Sequence, residues 1–249
     1  MPHSSATPLR IALLQARNPG DPARDDEHRA FAARLGLPEE ALTPVDALSA
    51  SLGDSLFRDF DLLLVGGSGE YSVLDDHPAI QRFNATLAEA AQRGFPTFAS
   101  CFGFQALVLG LGGEVIHDEP QAEVGAFWLE RSEEAAHDPL FATMPTRFLA
   151  QLGHKDRATR LPDGLVHLAA SPRCPFQAVR VAGKPIYATQ FHPEMTWDDT
   201  RSRIRRYLDL YGHLVPDEVK ANLDGDMSSP EANDLLPRFV ALYRAGELG

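Results

Sequence analysis

Three short stretches carry residue types able to do nucleophilic chemistry. In 97-TFASCFGFQALVLGLGG-113 an apolar, β-prone run breaks at Cys101, and small and apolar residues at helical spacing follow. A side chain at such a strand-to-helix elbow is lifted out of the packing and lies near a helix N-terminus, where unpaired N–H groups and the helix dipole favour a thiolate. In 62-LLLVGGSGEYS-72 two glycines directly follow a buried strand. Open α/β sheets put their sites beyond the carboxyl ends of the strands. The Gly67 amide is therefore placed to face a carbonyl attacked by Cys101, with the Phe102 amide as second donor of an oxyanion hole. In 188-ATQFHPEMTW-197 a strand ends in His192, and Pro193 stiffens the turn to Glu194. An imidazole activates a thiol and later protonates the leaving amine, while a carboxylate two residues on holds the ring in the needed tautomer. Each stretch alone has a plain reading: a buried cysteine filling a junction, a tight turn, a chance surface pair. All three together, in this order, favour thiol chemistry.

The elements that must position these residues alternate early in the chain. The run 9-LRIALLQA-16 reads as a first buried strand, ended by the turn cluster 18-NPGDP-22. Residues 22–36 carry apolar positions at helical spacing, with Gly36 as the stop. The strand 60-FDLLLV-65, a helix over 78–93 closed by 94-GFP-96, and the strand and helix around Cys101 follow. After Gly113 the segments 122–130, 165–171, 176–181 and 185–191 are short and strand-like, and helical residues return at 198–211 and 231–244. The early alternation implies a parallel sheet with helices on both faces. The later strands imply a mixed sheet or an antiparallel layer. The stripe 235-LLPRFVALY-243 is expected to dock on its own domain.

Bulk properties exclude several classes of function. The 249 residues suit one large domain or one domain with an extension, and the net charge of −12 argues against nucleic acid or an anionic membrane as the main partner. No apolar run reaches transmembrane length. The amino-terminal MPHSSATPLRIALLQ lacks the pattern of a secretory leader. The two cysteines, Cys101 and Cys174, read as free thiols of a reducing, cytoplasmic compartment, with Cys174 structural. His117, Asp118, Glu119 and Glu123 lack metal-ligand periodicity, and no C-x-x-C, H-E-x-x-H or phosphate loop occurs, so neither a metal nor another cofactor is expected. His154 and Asp156 read as turn residues, either in a solvated loop or in contact with a partner or the substrate rim, and the acidic cluster at 133–138 as a solvated turn.

Taken together, GGSGE, SCFGFQ and QFHPE resemble the class I, or triad, glutamine amidotransferase domain, within its stand-alone group similar to the glutaminase of GMP synthetase. The stretches 152-LGHKDRATRLPDG-164 and 171-SPRCPFQAVRV-181 are similar to further segments of that group. The resemblance covers roughly residues 9–197. It implies an α/β fold, a flavodoxin-like three-layer sandwich with a mostly parallel central sheet, helices on both faces and a small antiparallel extension. Residues 1–8 are then a disordered tail, 9–197 the amidotransferase domain, and 198–249 a helical extension packed on it. Cys101, His192 and Glu194 correspond to the family's catalytic triad, Gly67 and Phe102 to its oxyanion amides, and Gln105 with Gly66 to its substrate-binding positions. The implied reaction is hydrolysis of the glutamine side-chain amide through a γ-glutamyl thioester, with ammonia passed to a separate synthase. A free-standing γ-glutamyl peptidase or a non-catalytic binding protein on the same fold are the alternatives. The chain departs from the family in having GGS where GGP is common and Phe104 where a smaller or polar residue is frequent; the ring is expected to narrow the pocket.

Overall fold

The computed structural model describes residues 8–48 and 52–248, so the expectation for residues 1–7 lies outside the described residues. The chain opens with β1 (Ile11–Gln15), α1 (Pro22–Leu35), β2 (Leu42–Asp46), α2 (Asp54–Asp59), β3 (Leu62–Val65), α3 (Pro78–Arg93), β4 (Thr97–Ser100) and α4 (Phe102–Gly110). A largely β stretch follows: β5 (Glu114–His117), β6 (Glu123–Arg131), β7 (Arg147–His154), β8 (Asp156–Arg160), β9 (Leu165–Ala170), β10 (Ala178–Val181) and β11 (Ile186–Thr189). The carboxyl-terminal part is helical: α5 (Trp197–Arg206), α6 (Leu208–Tyr211), α7 (Asp217–Ala221), α8 (Pro230–Asn233) and α9 (Leu235–Ala245).

Nine of these strands form one sheet in the order β2-β1-β3-β4-β11-β10-β9-β6-β7. The first five run parallel, and the rest pair antiparallel. Strands β5 and β8 make a separate antiparallel pair. The parallel half is buried on both faces, which is why its strands are continuous apolar runs. Alternate residues serve alternate layers: Ile11, Leu13, Leu62 and Leu64 pack with Phe31 of α1 and Phe239 of α9. Ala12, Leu14, Leu63 and Val65 pack with Phe83 of α3 and Leu107 of α4. The result is the expected mostly parallel three-layer arrangement with antiparallel parts. Among the described residues, no helix is long and apolar enough to cross a membrane.

The helix ends follow their sequence signals. Helix α1 starts at Asp21, whose carboxylate accepts from the Ala23 amide, and ends at Gly36 in the left-handed region. Helix α9 docks through Leu235, Leu236 and Phe239, all fully buried, with Phe239 edge-on to Phe98 and Tyr187. The stripe at 235–243 thus serves its own fold.

Several local expectations need correction. Strand β2 escapes the sequence pattern because LTPVD is partly exposed and contains Pro44; as an edge strand it tolerates a residue with no N–H. His154 and Asp156 are not in a solvated loop: each is about 5% exposed, and they end β7 and begin β8 around a one-residue bend. Their neighbours satisfy both side chains, so burial is affordable. Asp138, at the end of the acidic cluster, is also buried, accepting from the Leu140 and Phe141 amides and from Tyr187. Phe104 of α4, expected to narrow the pocket, is fully buried in the core cluster that includes Phe83 and Leu107.

Candidate active site

Cys101 stands between β4 and α4 with φ of 50° and ψ of −101°, the one non-glycine residue with positive φ among the described residues. Such a conformation is strained for an L residue and persists only where its surroundings fix it. Here the Cys101 amide donates to the Thr189 carbonyl of β11 at 2.7 Å, and its carbonyl accepts from the Gln105 amide. Helix α4 can approach this closely because residue 103 is glycine: a Cβ there would sit 2.7 Å from Val65 and 3.0 Å from Ala99. The Phe102 amide, first in α4, belongs to the helix's unpaired first-turn donors.

His192 and Glu194 lie just past β11, the strand beside β4, so both meet Cys101 at one end of the parallel half. The His192 amide is fixed by the Gln151 carbonyl. Its Nδ1 pairs with Glu194 Oε1 at 2.6 Å, and the ring lies with Cys101 against Gly67, where the charge of the sulfur bears on it. Burial on its own would lower the pKa of His192, but the charges of Glu194 and of the Cys101 sulfur outweigh it and hold it at about 10. Burial likewise works against an ionised Glu194, and the imidazolium overcomes it, leaving the carboxyl below its ordinary range. The sequence-predicted Cys101, His192 and Glu194 are therefore brought together, and the arrangement can relay a proton between a thiol and a leaving group.

The other predicted residues are placed differently. Gln105 is buried and donates to the Asp156 carbonyl and to Gln190 Oε1, while Gln190 Nε2 reaches to 3.8 Å from Cys101 Sγ. Gly66, expected at the substrate, commits its N–H to the Leu14 carbonyl of β1. Gly67 lies against the Cys101–His192 pair, and a Cβ there would be 3.0 Å from His192 Cε1 and 3.7 Å from Cys101 Cβ. Its N–H, expected as an oxyanion donor, instead bonds the Glu27 carboxylate at 2.9 Å.

Against this geometry stand the comparisons with known proteins. The model of the glutamine amidotransferase class-I family matches residues 45–206. The chain belongs to that family. A glutamine amidotransferase of Thermotoga maritima, known by crystal structure, shares the fold with a TM-score of 0.73 at 16% identity, covering 94% of this chain and 97% of that one. A glutamine-hydrolyzing GMP synthase of Thermosipho melanesiensis is 38% identical over 109 residues, 44% of this chain and 20% of that protein. A protein of Methanocaldococcus jannaschii that bears the name of one subunit of a glutamine-hydrolyzing GMP synthase is 32% identical over 123 residues, 49% of this chain and 63% of that one. The matched parts thus span from a fifth to under two thirds of the length of the two GMP synthase relatives.

Sequence reasoning missed the residues that hold this site in place. The Asn233 amide of α8 donates to the Pro193 and Met195 carbonyls, both at 2.8 Å, clamping the His192–Glu194 turn from both sides. Gln151 donates to the Met227 carbonyl and to Ser229, tying the same turn to the carboxyl-terminal part. Asp156 accepts from Ser72 of the glycine turn at 2.5 Å and pairs with His117 at 2.7 Å. Gln15, Arg17 and Glu27 form a further buried polar group behind the glycines. Gln15 and Arg17 had a signal: polar residues immediately past an apolar strand stand where α/β sheets build their sites.

Proposed function

We propose that this class I amidotransferase hydrolyses the side-chain amide of glutamine, with Cys101 as nucleophile, and delivers the ammonia to a separate synthase. The observation that carries the reading is the strained Cys101 elbow set beside His192 at Gly67, with Glu194 orienting the imidazole at 2.6 Å. His192 holds the proton taken from Cys101, and the thiolate attacks the amide carbon. The tetrahedral oxyanion is taken by the Phe102 amide and by the Gly67 amide once the latter is free of Glu27. As the C–N bond breaks, His192 protonates the nitrogen and ammonia leaves, giving a γ-glutamyl thioester on Cys101. Water, deprotonated by the same imidazole, then attacks the thioester and releases glutamate and the thiol. Glu194 stabilises the imidazolium at each transfer.

Delivery to a synthase is supported by the similarity to proteins named as a single subunit of GMP synthase, since such a name implies a second one. The test is a coupled assay of purified protein for ammonia and glutamate from glutamine, with γ-glutamyl dipeptides as competing substrates. Glutamine turnover that Cys101→Ala abolishes, with a γ-glutamyl adduct on Cys101 trapped by acid quench, is the expected result. Turnover that survives Cys101→Ala, or faster release from dipeptides than from glutamine, would overturn it.

A further inference from the structure

The residue behind the glycine turn is a carboxylate on the wrong face of its helix. The buried residues of α1 include Ala23, Glu27 and Phe31, each one turn apart, so Glu27 occupies a core position between two apolar ones. Its side chain is 2% exposed. Burying a carboxylate is costly unless it is paired and hydrogen-bonded, and Glu27 is both. It accepts from Arg17 Nη2 at 2.9 Å, Gln15 Nε2 at 3.0 Å and the Gly67 amide at 2.9 Å. Burial opposes the Arg17 charge, but Glu27 outweighs it and holds the guanidinium above its usual range. Arg17 also pairs with Asp21 at 3.6 Å, so the group is fixed from β1 and from the start of α1.

The two glycines run between this carboxylate and the Cys101–His192 pair. A Cβ on Gly66 would fall 2.4 to 2.6 Å from the carboxylate atoms of Glu27, whereas one on Gly67 would fall against His192 and Cys101. The direction of the Gly67 N–H is the telling feature. Backbone donors alternate sides along a strand. At the start of β3 the Leu63 amide donates towards β4, to the Pro96 carbonyl, and three residues later the Gly66 amide donates towards β1, to the Leu14 carbonyl. Continued alternation would aim the Gly67 amide towards β4, the strand that carries Cys101. Instead it donates to a residue of α1, the helix that follows β1.

We infer that Glu27, clamped by Arg17 and Gln15, is a positioning residue that holds the Gly67 N–H turned away from the reacting carbon and so limits how often the oxyanion site is complete. The inference rests on the glutaminase reading above. Glycine at both positions lets the connecting peptide rotate without a Cβ penalty. A hydrogen bond to a carboxylate is roughly twice as strong as one to a neutral acceptor. Glu27→Gln therefore keeps the shape and weakens the hold. Because one oxyanion donor is worth about 10²–10³ in rate, a partial release raises turnover severalfold.

The experiment compares wild type with Glu27→Gln on three readouts. Hydrogen exchange of the Gly67 amide should accelerate about tenfold in the variant, with the Val65 and Gly66 amides unchanged. Its kcat for glutamine should rise about three- to tenfold, with KM within twofold. Alkylation of Cys101 by iodoacetamide, which needs no oxyanion donor, should stay within twofold. A kcat that is unchanged or falls while the variant keeps its fold would overturn the inference, as would unaltered Gly67 exchange. Faster exchange with both proteins inert towards glutamine would fell the glutaminase reading and leave the clamp standing. If Glu27→Gln does not fold, the Gly67 amide resonance of wild type decides. It should move when Cys101 is alkylated by a glutamine-like chloroketone, the sulfur displacing chloride, and an unmoved resonance in the full adduct would sink the proposal.

Discussion

The described residues contain two buried clusters of cysteine, histidine and glutamate, and they differ in one respect that separates chemistry from packing. In one, His192 commits Nδ1 to Glu194, which leaves its other nitrogen for the nearby Cys101 sulfur whose charge bears on the ring. In the other, the ligating atoms of Glu123, His154 and Cys174 lie within 4.8 Å of one another. There His154 spends Nδ1 on the Asp156 carbonyl and Nε2 on Glu123, leaving nothing for the thiol. Cys174 donates to the Phe176 carbonyl, and burial pushes its pKa up to about 12. The same donor set could ligate a soft cation; as it stands, Glu123 Oε2 is held by His154 and by Gln177. Residue type and proximity are shared. What differs is which nitrogen is left over.

The largest effect expected is on turnover. Cys101→Ala should lower kcat by about 10⁴-fold or more, and Cys174→Ala should leave it within about threefold; equal losses would erase the contrast. Next, Glu194→Gln should cost roughly 10²- to 10⁴-fold in kcat, as expected when the carboxylate that orients an imidazole becomes an amide. Glu123→Gln in the second cluster should leave kcat within about threefold, showing its cost in thermal unfolding instead. Limited iodoacetamide treatment followed by peptide mass spectrometry should label Cys101 well before Cys174. Equal labelling in the folded protein would mean that hydrogen-bond order does not govern the thiols.

A pH experiment sharpens the same point. The folded His192 value of about 10 lies above the unfolded value of about 6.5. Its pairing therefore stabilises the fold fully below pH 6.5, and that contribution fades as pH rises through about 10. Glu194 is depressed, so its share is present above the ordinary carboxyl range and is lost in acid. Unfolding free energy of wild type should decline between pH 6.5 and 10, and Glu194→Gln should flatten that slope. The smallest effect concerns support: Asn233→Ala leaves two turn carbonyls unpaired, at about 1 kcal/mol each, with kcat down about threefold to tenfold in steady-state assays.

Much of this was readable in the chain and some was not, for physical reasons. Buried parallel strands must be apolar along their whole length, so β1, β3 and β4 declare themselves, and the chemistry at their carboxyl ends follows by position. The His192–Glu194 turn was legible because proline fixes its local geometry. Strands β7 and β8 were not, since their identity depends on pairing with β6 and β5 across long separations. Glu27 was hidden by composition. Helix α1 carries seven charged or titratable residues among fourteen, and one more carboxylate draws no notice unless its register with Ala23 and Phe31 is followed.

The glycine turn is fastened at Gly67 by Glu27, at Tyr71 by Asn18 and at Ser72 by Asp156. Only residues 68–70 lie between the first two anchors, whose Cα atoms can be at most about 14 Å apart at full extension. So short a tether cannot swing clear of the sulfur as a lid would. Its freedom is confined to turning individual peptide planes in place, and changes of sequence at residues 68–70 alter what borders the thiol while the fastenings stay where they are.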